Sequence, residues 1–285
     1  MLRLLSWNVN GIRAAVKKGL WEKLAEMNVD ILGIQETKAG ADIMASGVAE
    51  HTDYTLNFYS CSMKAGYSGV ALLSKKTSKQ LSNKDGEDNE SLDNINLEVA
   101  ATQAGLGIEE FDVEGRFIMN KYTTSSSKLP EFTVINCYYP QGGRGQHRIV
   151  YKIEFYKKVK ELADKLRKDG QKVMLCGDFN TTVGDIDLAR PKENRKTTGC
   201  LPEEREALDL FLKDGFVDTF RHFYPELEAK YSYWDQITRA RERNVGWRID
   251  YWLVDETLLP LIKDALILDQ VMGSDHCPVG IELDI

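Results

Sequence analysis

The stretch QHRIVYKIEFYKKVKELADKLRKDG (residues 146–170) and the run QKVMLCGDFN (residues 171–180) that follows it decide the fold class. The first part stops at Gly170, as expected for a helix with a glycine just past its end. Its apolar side chains share one face at helical spacing: Ile149, Ile153, Tyr156, Val159, Ala163 and Leu166. The second part is an apolar, strand-like run that ends in polar residues. A helix pattern beside a strand pattern indicates an α/β protein.

Similar strand-like runs recur along the rest of the chain. They are LRLLSWNV, DILGIQE, YTLNFYS, SGVALLS, GRFIMNKY, FTVINCYY, RIDYWLV and PVGIELDI. Two more helix patterns occur at GLWEKLAEMN (residues 19–28) and LPEEREALDLFLKDG (residues 201–215), the latter with Pro202 in its first turn. Many strands with few, well-marked helices favour β-sheets packed face to face with helices outside.

Composition and length narrow the class of protein. The chain has 285 residues, of which 42% are hydrophobic and 28% charged, as in ordinary globular proteins. No apolar run is long enough to span a bilayer, and no secretory signal is visible, which favours a cytoplasmic protein of bacterial or archaeal type. Five cysteines without a C-x-x-C pair suit reduced, packed thiols better than disulfides or zinc. Without a linker or repeat, we expect one domain over residues 1–285, with an acidic insertion or surface loop near residues 80–104.

Charge is unevenly distributed along the chain, whose net charge is −7. Residues 83–114 hold ten acids and one base, so the remainder carries a small positive charge. Bases cluster in RPKENRK (residues 190–196) and TRARERNVGWR (residues 238–248). Such clusters are compatible with local binding of a polyanion, and equally with solvated loops.

Polar residues that carry chemistry stand where strand-like runs begin or end: Asn8, Glu36, Tyr138, Asp178, Asn180, Asp250, Asp275 and His276. Strand ends on one rim of a sheet can project side chains into one cleft, although asparagine and aspartate also favour simple turns. The set is rich in oxygen donors, which suits Mg²⁺ better than zinc. Such a cation can polarise a phosphoryl oxygen while a second carboxylate takes a proton from water.

The stretch GSDHCPV (residues 273–279) cannot be a compressed catalytic triad, because successive residues of an extended segment point to opposite faces. It needs partners from elsewhere in the chain. We expect Ser274 and Cys277 to be scaffold residues, and His51, His147 and His222 to be ordinary surface or packed residues.

Nine motifs in order resemble one family: SWNVNG, QETK, GYSGVALLSK, EGRF, YYPQGGRG, GDFN, IDLARPKEN, VGWRIDYW and GSDHCP. The chain is similar, from about residue 2 to 284, to the exonuclease III-like abasic-site (AP) endonucleases of the endonuclease/exonuclease/phosphatase superfamily. The resemblance implies a four-layer α/β sandwich, two packed mixed β-sheets flanked by helices. It implies a DNA repair nuclease that uses Mg²⁺, or Mn²⁺, to hydrolyse the phosphodiester 5′ to an abasic site, leaving a 3′-hydroxyl.

Trimming of blocked 3′ ends and 3′→5′ exonuclease action are also implied by the resemblance. The expected partner is double-stranded DNA with abasic sites or blocked 3′ ends, bound by a monomer with no membrane contact. Two other functions remain open: hydrolysis of another phosphate ester by a related enzyme, and DNA binding without catalysis.

The same resemblance implies roles for the strand-end residues. Glu36 and Asp275 would be the main metal carboxylates, with Asn8 in or near the coordination shell. Asp178, beside the metal, would orient and deprotonate the attacking water. Asn180, also near the metal, would donate to the transition-state oxygens.

Two further catalytic positions would face the scissile phosphate. Tyr138 would hydrogen-bond it as phenol or phenolate, and His276 would contact it, held by Asp250. This pairing has a physical basis, since a carboxylate fixes the tautomer and favours the cationic imidazole.

Substrate-binding positions are implied in the same way. Asn194 would position the substrate, and an apolar pocket for a flipped-out sugar without its base would be formed by Tyr233, Trp247 and Ile249. The DNA-contacting positions would be Lys38, Tyr67 and Arg144.

The chain departs from the family pattern at two positions near these residues. Asn10 stands where some relatives have aspartate, which argues against a strong second metal site. Gln141 stands where asparagine is frequent, so its contact to the phosphate backbone would be longer or shifted.

Overall fold

The computed structural model describes residues 1–44, 48, 53–76 and 95–285. The strands of these residues are β1 Leu2–Asn8, β2 Ile31–Gln35, β3 Tyr54–Tyr59, β4 Val70–Lys75, β5 Leu97–Ala104, β6 Phe117–Thr124, β7 Glu131–Tyr138, β8 Val173–Asp178, β9 Phe216–Asp218, β10 Asp250–Asp255, β11 Ile262–Ile267 and β12 Val279–Leu283. The helices are α1 Ile12–Lys17, α2 Leu20–Glu26, α3 Ala41–Ile43, α4 Glu109–Asp112, α5 Gln146–Lys168, α6 Pro202–Leu212 and α7 Thr219–Phe223. Short 3₁₀ helices lie at Asp185–Asp187, Ala240–Arg243 and Glu256–Leu261.

These strands form two six-stranded sheets. The first has the order β11-β12-β1-β2-β4-β3 and the second the order β5-β6-β7-β8-β10-β9. In each sheet one central pair is parallel, β1 with β2 and β7 with β8, and the other neighbours are antiparallel. Both sheets are therefore mixed, as predicted.

Three apolar clusters separate four layers. Leu4, Val134 and Trp252 belong to the cluster between the two sheets. A second cluster joins the outer face of one sheet to α5 and α6, and a third joins the outer face of the other sheet to α1 and α2. Burying each large apolar side chain contributes about 1.5–3 kcal/mol. The order helix, sheet, sheet, helix confirms the predicted four-layer α/β sandwich.

The central strands are recognisable in the sequence because both of their faces are covered. All five residues of β2 and all six of β8 are buried, which gives continuous apolar runs instead of alternating ones. Helix α5 ends with Lys165, Arg167 and Lys168 in its last turn, which suits the negative end of the helix dipole. Gly170 follows with φ of 81°, the left-handed conformation that closes a helix.

The prediction of a surface loop near residues 80–104 is wrong for the last part of this range. Leu97–Ala104 forms β5, which pairs antiparallel with β6 at the edge of the second sheet. Most of its side chains are exposed or half-buried, so the apolar alternation that predicts a strand is missing. Residues 80–94 of the predicted loop, and His51, lie outside the described residues.

The five cysteines are free thiols and four of them are buried, in line with the prediction from their spacing. Across the part of the chain that the structure describes, no helix has the length and apolar character needed to cross a membrane.

Candidate active site

The predicted strand-end residues meet along one rim of the sandwich, between the two sheets. The parallel pairs β1–β2 and β7–β8 each end at this rim. Strand β10 runs the other way and starts there, so that Asp250 pairs directly with Asp178. The start of β12 likewise lies beside the end of β1, where Val279 pairs with Ser6. The residues just before β12 therefore lie at the same rim as the end of β1.

A cleft of about 490 Å³ opens at this rim. Its lining residues are Asn10, Glu36, Lys38, Tyr138, Gln141, Asp178, Asn180, Thr197, Thr198, Tyr233, Asp235, Trp247, Ile249, Asp275 and His276. Asn8 and Asp250, also predicted site residues, lie buried beneath it with exposed fractions of 0% and 2%. Three predicted substrate-binding residues, Tyr67, Arg144 and Asn194, are not among the lining residues.

Asn8 ties the two sheets together under the cleft. Its Nδ2 donates to Glu36 Oε1 and to Asp178 Oδ2, each at 2.8 Å. Its Oδ1 accepts the main-chain N–H of Asn10 at 3.0 Å. A carboxylate from each sheet is therefore fixed by a single amide.

Glu36 is held as an ionised carboxylate. Its Oε2 lies 2.7 Å from Nζ of Lys38. Burial alone would raise the pKa of Glu36, but the Lys38 ammonium and the hydrogen bond from Asn8 outweigh burial and lower it. A carboxylate that stays charged in a half-enclosed site attracts cations.

Four non-glycine residues around the cleft have positive φ angles: Asn10 (49°), Glu36 (53°), Lys38 (50°) and Asn180 (51°). Left-handed backbone is costly for such residues and is retained where surrounding contacts fix it, often at functional sites. Main-chain bonds provide that support, for example from Gly11 N to the Glu36 carbonyl at 2.8 Å and from Lys38 N to the Ser68 carbonyl at 2.8 Å.

Asp275 is oriented by its neighbours on both sides. Nδ2 of Asn10 donates to its two oxygens at 3.0 and 3.1 Å. The single proton of the Ser274 hydroxyl is shared between the Asn8 carbonyl at 2.7 Å and Asp275 Oδ1 at 3.0 Å. Asn10 therefore acts as a donor to the Asp275 carboxylate, and Ser274 fixes the backbone and side chain around it.

His276 and Asp250 form the predicted carboxylate–imidazole pair, with Nδ1 of the ring 2.8 Å from Asp250 Oδ2. Ser232 completes it, since its hydroxyl donates to the same Oδ2 at 2.6 Å and accepts the main-chain N–H of Asp250 at 3.1 Å. Burial alone would lower the pKa of His276, but the charges of Asp250 and Asp178 outweigh it and raise the pKa. The imidazole is therefore held in its cationic form. Sequence reasoning missed Ser232, which has no strand-end signature.

Asp178 lies at the centre of the buried charges. Its Oδ1 accepts the main-chain N–H of Asn180 at 2.9 Å, and its Oδ2 lies 3.8 Å from Nε2 of His276. Burial raises the pKa of Asp178, the charge of Asp250 raises it further, and His276 opposes both. The pKa is raised overall, which suits a carboxylate that accepts a proton near neutral pH. Ligand atoms of Asp178, Asp250 and His276 all lie within 4.8 Å of one another.

Tyr138 is supported by Arg116, a buried residue that the sequence did not single out beyond its EGRF motif. The Arg116 guanidinium lies 4.5 Å from the centroid of the Tyr138 ring and donates to the Tyr138 carbonyl at 3.1 Å. It also donates to the Tyr67 hydroxyl at 2.7 Å, and Arg144 lies 5.7 Å from the centroid of the Tyr67 ring. Burial and the nearby Glu36 raise the pKa of Tyr138 well above its ordinary value, so the side chain is a phenol.

The apolar wall of the cleft is built by main-chain pairing. Tyr233 and Trp247 exchange two main-chain hydrogen bonds of 2.9 Å, and Tyr233 packs against the His276 ring with centroids 4.8 Å apart. Ile249, which is buried, completes this side.

Asn194 shapes the neighbouring loop instead of lining the cleft. Its Nδ2 donates to the Arg190 carbonyl at 2.9 Å, and its Oδ1 accepts from the Thr197 hydroxyl at 3.3 Å. Thr197 and Thr198 of this loop do line the cleft.

Carboxylates, amides, a phenol and a carboxylate-held imidazole thus converge in one cleft between two sheets. In an α/β sandwich this combination defines a phosphate-ester hydrolase, because it offers a base, hydrogen-bond donors for phosphate oxygens and oxygen ligands for a hard cation.

Comparison with known proteins agrees with this class. The model of the endonuclease/exonuclease/phosphatase family matches residues 5–276, and the chain belongs to that family. It is 39% identical over 287 residues to "Exodeoxyribonuclease" of Bacillus subtilis (strain 168), with 100% of both chains covered. It is 35% identical to "DNA repair nuclease APEX1" of Danio rerio, over 100% of this chain and 83% of that one.

Similarity to solved structures also supports the α/β sandwich fold. The AP endonuclease LMAP from Leishmania major superposes with a TM-score of 0.82 at 26% identity, covering 98% of this chain and 86% of that one. The predicted family, the predicted fold and the predicted enzyme class, a nuclease of the DNA repair type, are confirmed.

Proposed function

We propose that the chain hydrolyses the phosphodiester on the 5′ side of an abasic site in duplex DNA and leaves a 3′-hydroxyl. Trimming of blocked 3′ ends and 3′→5′ exonuclease action belong to the same proposal. The main observation in its support is a cleft in which carboxylates, amides and an imidazole lie beside an apolar wall. The names of the relatives, an exodeoxyribonuclease, a DNA repair nuclease and an AP endonuclease, support it.

A divalent cation is part of the proposal. Carboxylates outnumber cations among the residues that line the cleft: Glu36, Asp178, Asp235 and Asp275 against Lys38 and His276. A phosphodiester would be repelled from such a surface unless a cation offsets the charge. Glu36 and Asp275 would hold Mg²⁺, or Mn²⁺, with Asn8, Asp178 and Asn180 in or near its shell. These oxygen donors fit a hard cation, and the Lys38 ammonium 2.7 Å from Glu36 indicates that this position favours positive charge. When bound, the cation would polarise a phosphoryl oxygen and stabilise the leaving oxygen.

The residues of the chain would supply the remaining chemistry. Asp178, with its raised pKa, would orient a water molecule and take its proton. One N–H of the Asn180 amide donates to the Tyr139 carbonyl at 2.9 Å, which leaves the other for a transition-state oxygen. The cationic His276 and the Tyr138 phenol would donate to the scissile phosphate.

The apolar wall would set specificity. Tyr233, Trp247 and Ile249 would admit a flipped-out sugar that lacks its base and would exclude a normal nucleotide by size. Lys38, Tyr67 and Arg144 would contact the DNA around the pocket, chiefly at phosphates, and Asn194 would position the substrate. The enzyme would work as a single-domain monomer in the cytoplasm, in agreement with its free, mostly buried thiols.

A gel assay tests the proposal. A duplex with one abasic site, a matched intact duplex and a 3′-phosphate duplex are incubated with the protein and Mg²⁺, with and without a chelator. We expect a single cut 5′ to the abasic site that requires metal, and a loss of at least about 10³-fold in Asp178→Asn, because this variant lacks the base. Asp209→Asn, whose side chain is paired with Lys213 on the outside of α6, is the matched control and should cleave normally. An intact abasic duplex after incubation with wild-type protein would refute the proposal.

A further inference from the structure

Lys152 is a buried charge that the proposed mechanism does not use. It lies on the apolar face of α5, and its side chain is 0% exposed. Its ammonium donates to the main-chain carbonyl of Asn180 at 2.7 Å and to Glu204 Oε1 at 2.7 Å. A lysine on this face is costly to bury, since two charges must leave water to form the pair.

Glu204 extends the contact to the wall of the cleft. This residue, in the first turn of α6, is also 0% exposed. Its Oε1 accepts from the Thr198 hydroxyl at 2.7 Å, and its Oε2 accepts the main-chain N–H groups of Gly199 and Leu201. The ion pair therefore links the backbone at Asn180 to the loop that carries Thr197 and Thr198.

The backbone at Asn180 needs such support. Its φ of 51° is unfavourable for a residue with a side chain, and a left-handed residue persists only where contacts fix it. Asn180 N donates to Asp178 Oδ1, Nδ2 donates to the Tyr139 carbonyl, and Lys152 fixes the carbonyl. With all three bonds, the remaining amide N–H points in one direction.

We propose that the Lys152–Glu204 ion pair positions Asn180 and the Thr197–Thr198 wall for phosphodiester cleavage without touching the substrate. It is a positioning device, and it rests on the proposed nuclease function. Replacing a buried ion pair by neutral groups is often harmless to stability, so an effect on turnover can be separated from an effect on folding.

The test compares Lys152→Met, Lys152→Met/Glu204→Gln and Lys160→Met. Lys160 is the matched control, because it lies on the same helix, is nearly buried and pairs with Asp164 and Asp214, away from the cleft. Turnover and KM on the abasic duplex, the thermal midpoint and hydrogen exchange of the Thr182 amide are measured. That amide donates to the Gly199 carbonyl at 2.9 Å and reports on the contact between the two segments.

We expect the double variant to melt within a few degrees of wild type, with kcat at least about tenfold lower, KM within about threefold and faster exchange at Thr182. Lys160→Met should keep the wild-type kcat and exchange rate. A double variant that is folded, turns over at the wild-type rate and exchanges normally would overturn the inference. Should the Lys152 variants not fold, Glu204→Gln alone carries the test, and normal kcat and exchange in it would have the same meaning.

The design separates the two proposals. A wild-type protein that leaves the abasic duplex intact refutes the nuclease function, while the exchange of Thr182 still decides whether the ion pair fixes the loop. A wild-type protein that cleaves, with variants that cleave equally well, refutes only the positioning role.

Discussion

Replacement of Arg248 by methionine should destabilise the protein strongly, because Arg248 is a buried charge paired with two carboxylates. The Arg248 side chain is 1% exposed and lies between two carboxylates. Nε and Nη2 donate to the two oxygens of Asp187 at 2.7 and 3.0 Å, and Nη1 and Nη2 donate to those of Asp218 at 3.1 and 2.7 Å. Methionine keeps much of the volume of the side chain and removes all four bonds.

The size of the loss in stability depends on the carboxylates that stay buried after the substitution. Removing one partner of a buried ion pair costs about 3–5 kcal/mol, because the remaining charge stays buried without compensation. Asp187 keeps Arg221, whose Nη2 donates to it at 2.6 Å. Among the described residues, the Asp218 side chain keeps only the main-chain N–H of Arg221 as a donor, at 3.3 Å. One carboxylate is thus left nearly unpaired, and we expect a loss of about 3–4 kcal/mol, towards the lower end of that range.

Urea denaturation followed by tryptophan fluorescence measures this loss. With an m-value of about 3 kcal/mol/M, the midpoint should fall by about 1 M. Arg205→Met is the control, because Arg205 pairs with the exposed Asp185 and its loss should cost no more than about 1 kcal/mol. Equal midpoints for the two variants would refute the reasoning that the buried bidentate pairs stabilise the fold.

The remaining predictions concern acid stability, the histidine pair and the packing of the sheets. Arg248 lowers the pKa of Asp187 although burial alone would raise it, so the resulting stability is present above the unfolded pKa and lost below about pH 4. The free energy of unfolding should therefore fall with acid in urea titrations at pH 3–7, and less steeply in Arg248→Met; equal slopes would contradict this. Asp250→Asn should lower kcat/KM on an abasic duplex about 10–100-fold, as expected for a charged hydrogen bond of about 1.5–3 kcal/mol, and an unchanged rate would show that the imidazole needs no carboxylate. Gly33→Ala should lower the urea midpoint by an amount equal to about 1–3 kcal/mol, because its new Cβ would lie 2.8 Å from Cys176 Sγ of the opposite sheet. A wild-type midpoint would mean that the sheets can separate locally at no cost.

The fold was predictable from the sequence where strands are buried on both faces. β2 and β8 give continuous, mostly apolar runs that show neither helical nor alternating periodicity. β5 and β11 lie at sheet edges and carry charged or polar residues within short runs, so their pattern is lost. Pairing with a neighbour, which local pattern does not encode, makes them strands.

The site was predictable as a set of positions but not as a set of contacts. Strand ends identified Asp250 and Asp275, whereas their partners Ser232 and Asn10 come from 18 and 265 residues away in the chain. Lys152 shows the same limit in a helix. Its spacing from Ile149 places it on the apolar face. A lysine there interrupts the apolar pattern, and only the structure shows the buried partner that explains it.

The position of β12 has a consequence for synthesis of the chain. This strand, near the end of the sequence, lies between β1 and β11 in the interior of the first sheet. Until residues 279–283 have been synthesised and are free to fold, one side of β1 presents unpaired N–H and C=O groups, as an edge strand does. We therefore expect nascent chains that stall before β12 to associate through this open edge and to depend on chaperones, although the completed sheet buries it.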